Sequence, residues 1–289
     1  MDLILELPEA EKAWWKKEIQ KYRASKVKPP LFYVDNAIVE TKLTEKEIGR
    51  EPNSSIRKIR SAAWSHYIKD ELKFHRDVIY TLIKERPRAG EILEEVLAGN
   101  SAVKIEKESI AEIMGEYLGR AMPYFYQLSL STTNSRRTRA GKTLESIIRI
   151  VFNARAVPLE DQKKLGVSFY RKHNLGKMVD MIVPSGKVFE NNRRSAMIVT
   201  MKTSLRERWA EVVEEIQRTR IPNIHLITLD PNISKNLIEI LADYNITLVV
   251  YDEIKKEKLY EYNNVMGFNE FFEEEVPHYL SGIQKSSKI

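Results

Sequence analysis

The 289-residue chain contains no cysteine. Disulfides, thiolate-held metals and cysteine nucleophiles are therefore excluded at the outset. Histidine is scarce, five in all with His66 among them and no His-rich cluster, so a zinc site has too few donors. No apolar run approaches membrane-spanning length, and the N-terminus is acidic rather than a signal sequence. A soluble, cytoplasmic protein with no membrane attachment is expected. Neither a Gly-rich phosphate loop nor a G-x-S-x-G turn is present, so no nucleotide cofactor is expected.

What remains is an ordinary globular composition, 43% hydrophobic and 30% charged, with ample chain for one large core. The net charge of +6 is modest. Its clustering is more informative: Arg136, Arg137, Arg139 and Lys142 lie within seven residues that include no acidic residue. Such local density suits a polyanion better than a diffuse excess does.

The chain is organised around the stretch from Ala196 to Ile216. Its first part, Ala196-Met197-Ile198-Val199-Thr200-Met201, is short, apolar and partly β-branched, the signature of a buried strand. It then turns amphipathic, with Leu205, Trp209, Val212, Val213 and Ile216 at helical spacing and Thr203 or Ser204 as a cap. Lys202 stands at the joint, where burying an ammonium is costly without anionic company.

Upstream, residues 8 to 25 read as an amphipathic helix ended by Pro29-Pro30, and 31 to 52 as irregular with a short strand at Leu31 to Val34. A long helix is expected from Asn53 to about Lys84, shorter ones near 91–97 and 109–118, a polar loop at Ser129 to Ser135, and a helix from Ala140 to Asn153. Strands are expected at Val167–Tyr170, 178–183, Val188-Phe189, 196–202, 224–229 and 246–251, with a Pro184-Ser185-Gly186 turn and helices over 205–216 and 234–244. The aromatic, acidic stretch Phe268 to Glu275 should give way to a disordered polar end. The expected fold is α/β: a central mixed β-sheet flanked by helices, with a helical N-terminal layer. A single catalytic domain over 1–289 is expected, with a helical part at 1–119, a core at 120–255 and a tail at 256–289.

The chemistry-bearing residues follow from this layout. Asp180 stands in the apolar stretch 177–183, and the turn at 184–186 folds it back towards the organising strand, so Asp180 and Lys202 can share neighbouring strand ends. A plain salt bridge at a sheet edge would explain the pair equally well. Thr200 and Met201 precede Lys202, so the common nuclease spacing, with an acid two before the lysine, is broken here. Glu215, at the margin of the following helix's apolar stripe, can substitute, whereas Glu207, Glu211 and Glu214 point further towards solvent; most helical charges, though, serve only solvation. Glu145 is a third candidate, or else an ordinary partner of Lys142 or Arg149. Oxygen ligands plus a lysine suit Mg²⁺ and phosphodiester hydrolysis. The basic cluster can read guanine through arginine forks or hold phosphate, or simply be a solvated loop.

Three stretches together resemble the EcoRII/SsoII/PspGI group of type II restriction endonucleases, a branch of the PD-(D/E)xK nucleases. They are Ser-Arg-Arg-Thr-Arg-Ala-Gly-Lys-Thr-Leu-Glu (135–145), Lys-Thr-Ser-Leu-Arg-Glu-Arg-Trp (202–209) with Glu215 beyond it, and His-Leu-Ile-Thr-Leu-Asp-Pro-Asn-Ile-Ser (225–234). The likeness spans roughly 120–255. It implies a restriction-endonuclease-like fold and a prokaryotic restriction-modification enzyme that cuts double-stranded DNA as a homodimer with Mg²⁺, at short sites of the CCNGG or CCWGG kind. It also implies Asp180 and Glu215 as metal-holding catalytic acids, Lys202 as the catalytic lysine and Glu145 as an accessory acid. Arg136 and Arg137 would read bases, with Arg139 and Lys142 on phosphate. Val179 stands where the family pattern has proline. The competing readings are a repair or structure-specific nuclease of the same fold, and a non-catalytic DNA-binding protein.

Overall fold

The computed structural model describes residues 6–100, 106–176, 179–206, 209–219 and 221–286. The run Met197–Lys202 is a strand buried at every position. Burial without alternation needs cover on both faces, which is the habit of strands in a helix-flanked sheet. In chain order the strands are β1 (Glu160–Asp161), β2 (Met181–Val183), β3 (Met197–Lys202), β4 (Ile224–Thr228), β5 (Ile246–Val250) and β6 (Val265–Gly267). They form one mixed sheet in that same order. The first three pair antiparallel, and β3 to β6 run parallel.

The helices are α1 (Glu9–Lys26), α2 (Pro30–Thr41), α3 (Glu45–Arg50), α4 (Pro52–Glu85), α5 (Pro87–Gly99), α6 (Lys107–Arg120), α7 (Met122–Ala154), α8 (Gln162–Lys172), α9 (Gly186–Asn191), α10 (Trp209–Thr219), α11 (Lys235–Asp243), α12 (Asp252–Lys258), α13 (Phe268–Glu270) and α14 (Val276–Ser286). Helices α10, α11 and α12 connect the parallel strands in turn, which is what parallel pairing demands of a chain. The chain divides into two compact units, Met1–Tyr33 with Ala63–Arg139, and Val34–Ala62 with Ala140–Ile289. The first is helical and is packed around Trp15, whose indole N–H donates to the Tyr124 carbonyl at 2.9 Å. The second holds the sheet, with Ile182, Ile198, Leu226, Leu248, Val212 and Ile238 in its core.

Several expectations are corrected. Leu31 to Val34 is helical, because Pro30 opens α2 and Tyr33, Val34 and Ala37 are buried at helical spacing. The polar stretch Ser129 to Ser135 is no loop but the middle of α7. Its hydroxyls find tertiary partners, Ser131 with Arg23 and Thr132 with His75, so they do not compete for the backbone. Val167–Tyr170 lies in the second, helical part of α8, beyond a break at Gly166 (φ 76°), with Tyr170 buried and Val167 exposed; the Asp161 carboxylate caps the first part through the Lys164 N–H. Val188-Phe189 belongs to α9, capped by Ser185. Gly186 packs closely on α8: a Cβ there would lie 2.6 Å from Leu165 Cδ2 and 2.8 Å from Phe169 Cε2, so those side chains would have to shift. Sequence reading passed over α3 with its Thr44/Glu47 capping box, and the short strands β1 and β6. The aromatic C-terminal stretch is ordered and becomes π-helical at Phe271–Glu275; Phe271 and Phe272 are buried edge-to-face on Phe152. The polar end expected to be disordered is helical as far as Ser286, as part of α14, and its last three residues fall outside the described residues.

Candidate active site

The antiparallel register of β2 on β3 carries Asp180, one residue ahead of Met181, to the end of β3. Its backbone N–H donates to the Val199 carbonyl at 3.0 Å. Its carboxylate Oδ2 accepts the Met201 N–H at 2.6 Å. That bond fixes the acid against the residue preceding Lys202, which is the last of β3 and only 5% exposed. The expected meeting of Asp180 and Lys202 at neighbouring strand ends is therefore present.

Glu145 lies on the part of α7 that packs through Leu144, Ile147, Ile148, Val151 and Phe152. Burial raises its carboxyl above the ordinary range, against the positive charges of Lys142, Arg149, Lys202 and Lys163. Lys202 thus acts electrostatically on Glu145 as well as adjoining Asp180. Arg149 is itself bonded to Asp161, and that guanidinium with the Lys164 N–H holds the Asp161 carboxyl below its usual value despite burial. Glu215 lies on α10, whose Val212, Val213 and Ile216 are buried and whose Glu211 and Glu214 are exposed; the Glu215 side chain falls outside what the structure describes. Among the described residues no three acidic or imidazole side chains form a metal cluster. The donor chemistry that is present, carboxylate oxygen beside a buried ammonium with one carboxyl made costly to ionise by burial, suits a hard divalent ion.

The basic cluster does not form one exposed loop. Arg136 is bound through Nε to the buried Glu71 carboxylate at 2.8 Å and 3.1 Å, and Tyr67 also donates to that carboxylate. Arg139 donates to the Lys28 carbonyl at 2.5 Å and lies over the Tyr67 ring. Arg137 and Lys142 are exposed on α7.

The segment that follows Lys202 departs from the expected helix with Thr203 or Ser204 as its cap, since α10 begins at Trp209. Instead of capping a helix, the Ser204 hydroxyl donates to Asp230 at 3.2 Å and the Leu205 N–H to the same oxygen at 2.9 Å. Arg206 beyond it is exposed and takes a φ of 25°, a left-handed conformation uncommon for any residue but glycine. A cleft of about 550 Å³ opens here, lined among others by Thr203, Arg206, Trp209 and Asp230. The signal passed over was Asp230 in the Leu-Asp-Pro-Asn run that follows β4.

The helix-flanked mixed sheet, with Asp180 and Lys202 brought to one end of it, is the layout that the resemblance to restriction endonucleases implies. Comparison with known proteins agrees. The family model described as EcoRII C terminal matches residues 103–272. The type II restriction enzyme SsoII of Shigella sonnei is 32% identical over 222 residues, covering 77% of this chain and 67% of that protein. The type II restriction enzyme EcoRII of Escherichia coli is 23% identical over 198 residues, and the match spans only 43% of its length. Metal-depleted Ecl18kI in complex with uncleaved DNA superposes with a TM-score of 0.76 at 26% identity, covering 93% of this chain and 85% of that one. The PspGI–substrate DNA complex shares the fold, with a TM-score of 0.60 at 19% identity over 89% of this chain and 94% of that one. The chain belongs to the EcoRII C-terminal family and is a type II restriction endonuclease. Among the described residues no helix is long and apolar enough to cross a membrane.

Proposed function

We propose that the chain hydrolyses phosphodiester bonds of double-stranded DNA with Mg²⁺, as a homodimer, at short sites with C·G flanks of the CCNGG or CCWGG kind. The observation that carries this reading is the Asp180 carboxylate fixed on the Met201 N–H beside the buried Lys202. Asp180 and Glu215 are the carboxylates that would hold the ion, with Glu145 in support. A bound divalent ion lowers the pKa of water and neutralises charge developing on the phosphorus centre. Lys202 orients the attacking water and offers positive charge to the phosphate oxygens as they become more negative. Its burial at the strand end limits the water it would have to shed to do so. Partial burial of Glu145 makes its ionised form dependent on nearby cations, so it suits a site that gathers them.

On the DNA side, Arg137 and Arg206 have the exposure that a guanine fork requires, and Lys142 suits a phosphate. Arg136 can reach DNA only with the part of its guanidinium that Glu71 leaves exposed, and Arg139 is engaged on Lys28 and Tyr67. The homodimer and the C·G-flanked site are what the resemblance to the EcoRII/SsoII/PspGI group implies, and one similar solved structure, Ecl18kI, is in complex with DNA. Digestion of a sequenced, unmodified plasmid with Mg²⁺, followed by mapping of the cut ends, tests the reading. Discrete fragments with ends inside CCNGG-type sites are expected. Ends confined to flaps or mismatches, or dispersed without a shared sequence, would contradict it.

A further inference from the structure

We propose that Asp230 is a positioning residue for DNA cleavage: it clamps the loop after Lys202, so that this lysine and Arg206 keep one fixed relation to the bound duplex. The inference rests on the role proposed above for Lys202.

Topology brings the residues together. β4 runs parallel to β3 with Thr228 opposite Lys202, so the two strands deliver their following loops to the same end of the sheet. Asp230 stands in the loop after β4, its own N–H donating to the Thr228 hydroxyl at 3.1 Å. Its Oδ2 accepts both the Ser204 hydroxyl and the Leu205 N–H, and its Oδ1 accepts the Asn232 N–H at 3.0 Å. A single carboxylate thus ties the loop after the catalytic strand to the loop after its neighbour. Hydrogen bonds to an ionised acceptor are about twice as strong as neutral ones, so the tie is firm.

Two further features show what the clamp is for. Leu205 is 1% exposed, so the loop is anchored by an apolar side chain as well as by its backbone N–H. The next residue, Arg206, holds a φ of 25° and remains exposed. A strained non-glycine conformation persists only where its surroundings over-determine it, and such strain gathers at functional sites. The Asp230 bond to the adjacent N–H supplies that constraint. Asp230 itself makes a poor contact for a polyanion, and both of its oxygens already accept hydrogen bonds from N–H or O–H groups. Its action is therefore on the loop and not on the DNA.

The experiment uses the full chain carrying Asp230→Ala, Asp230→Asn or Ser204→Ala. Single-turnover cleavage is measured on a duplex with the mapped site and on one with a single base pair of that site changed. Binding with Ca²⁺ in place of Mg²⁺ and the thermal midpoint are measured alongside. Asp230→Ala is expected to slow cleavage of the correct site on the order of 100-fold. The ratio of rates between the two duplexes should fall about tenfold, as for one weakened arginine–base contact. Asp230→Asn, which keeps one acceptor oxygen, should recover part of both, and Ser204→Ala should move the ratio in the same direction by less. A folded Asp230→Ala with unchanged rate and ratio would overturn the proposal. So would equal losses on both duplexes accompanied only by a lower thermal midpoint. Should Asp230→Ala fail to fold, an unchanged ratio in both other variants overturns it. Lys202→Ala run in parallel separates the two claims: cleavage at the unmodified rate there removes the Lys202 role itself, whereas an inactive Lys202→Ala beside a fully active Asp230→Ala removes only the clamp.

Discussion

At the scale of single residues, Glu145, the accessory acid of the proposed site, makes the clearest prediction. Burial raises its carboxyl above the usual value, and four neighbouring cations only partly oppose that. The linkage sign follows: the neutral form is favoured on folding, so this contribution is fully present below the ordinary glutamate value. It is lost as pH rises through the raised folded value. Once ionised, the group therefore weakens the metal-free protein. Glu145→Gln should raise the metal-free thermal midpoint at pH 7 by roughly 1–2 °C for a chain of this size. It should slow Mg²⁺-supported cleavage on the order of tenfold or more, as loss of a residue supporting a metal site does. Calorimetry without metal and a single-turnover assay check the two halves, and a variant both less stable and fully active would refute them.

At the scale of elements, legibility followed how much of each segment's behaviour was local. β3 could be read directly from Met197 to Lys202, because a strand covered on both faces is an apolar run and little else resembles it at that length. The link between Asp180 and Lys202 was legible too, because β2 and β3 are neighbours in sequence, although α9 and not a plain turn at Pro184-Ser185-Gly186 joins them. The continuity of α7 was not. Ser129 to Ser135 carries residues that favour turns in isolation, and only partners far away in sequence, such as His75 and Arg23, keep that stretch helical. The basic cluster continues the same helix, and distant partners again decide its arrangement: Glu71 for Arg136, and Lys28 and Tyr67 for Arg139. Arg136 does structural work between two helices: it joins α7 to Glu71 of α4, whose side chain is 3% exposed against 46% for Arg136 itself. Burial pushes the Glu71 carboxyl up, yet Arg136 and Tyr67 bring it below its usual value. Removing the cation would leave a buried carboxylate unpaired. Such a loss costs roughly 3–5 kcal/mol when both partners are buried, and about 2 kcal/mol is expected where one is half in water. Urea unfolding of Arg136→Ala measures it, and an unchanged midpoint would show that the pair contributes nothing to stability.

Across the whole molecule, the parallel half of the sheet points its chain ends one way. Lys202 closes β3, and Asp230 follows β4 by two residues. The region beyond the carboxyl ends of parallel strands is where open α/β sheets generally bind ligands. Asp180 reaches the same end from the antiparallel side, through the pairing of β2 with β3. The sheet thus gathers its acid, its lysine and its clamping loop from separate stretches of sequence.

The most direct measurement is single-turnover cleavage of a duplex carrying the mapped site, with Mg²⁺, by Asp180→Ala and by Lys202→Ala, alongside binding of the same duplex with Ca²⁺. Each variant should lose on the order of 10²–10³-fold in cleavage rate or more, the scale on which one electrostatic group of a catalytic site acts. Specific binding with Ca²⁺ should survive in Lys202→Ala. Cleavage at the unmodified rate by either variant would contradict the account.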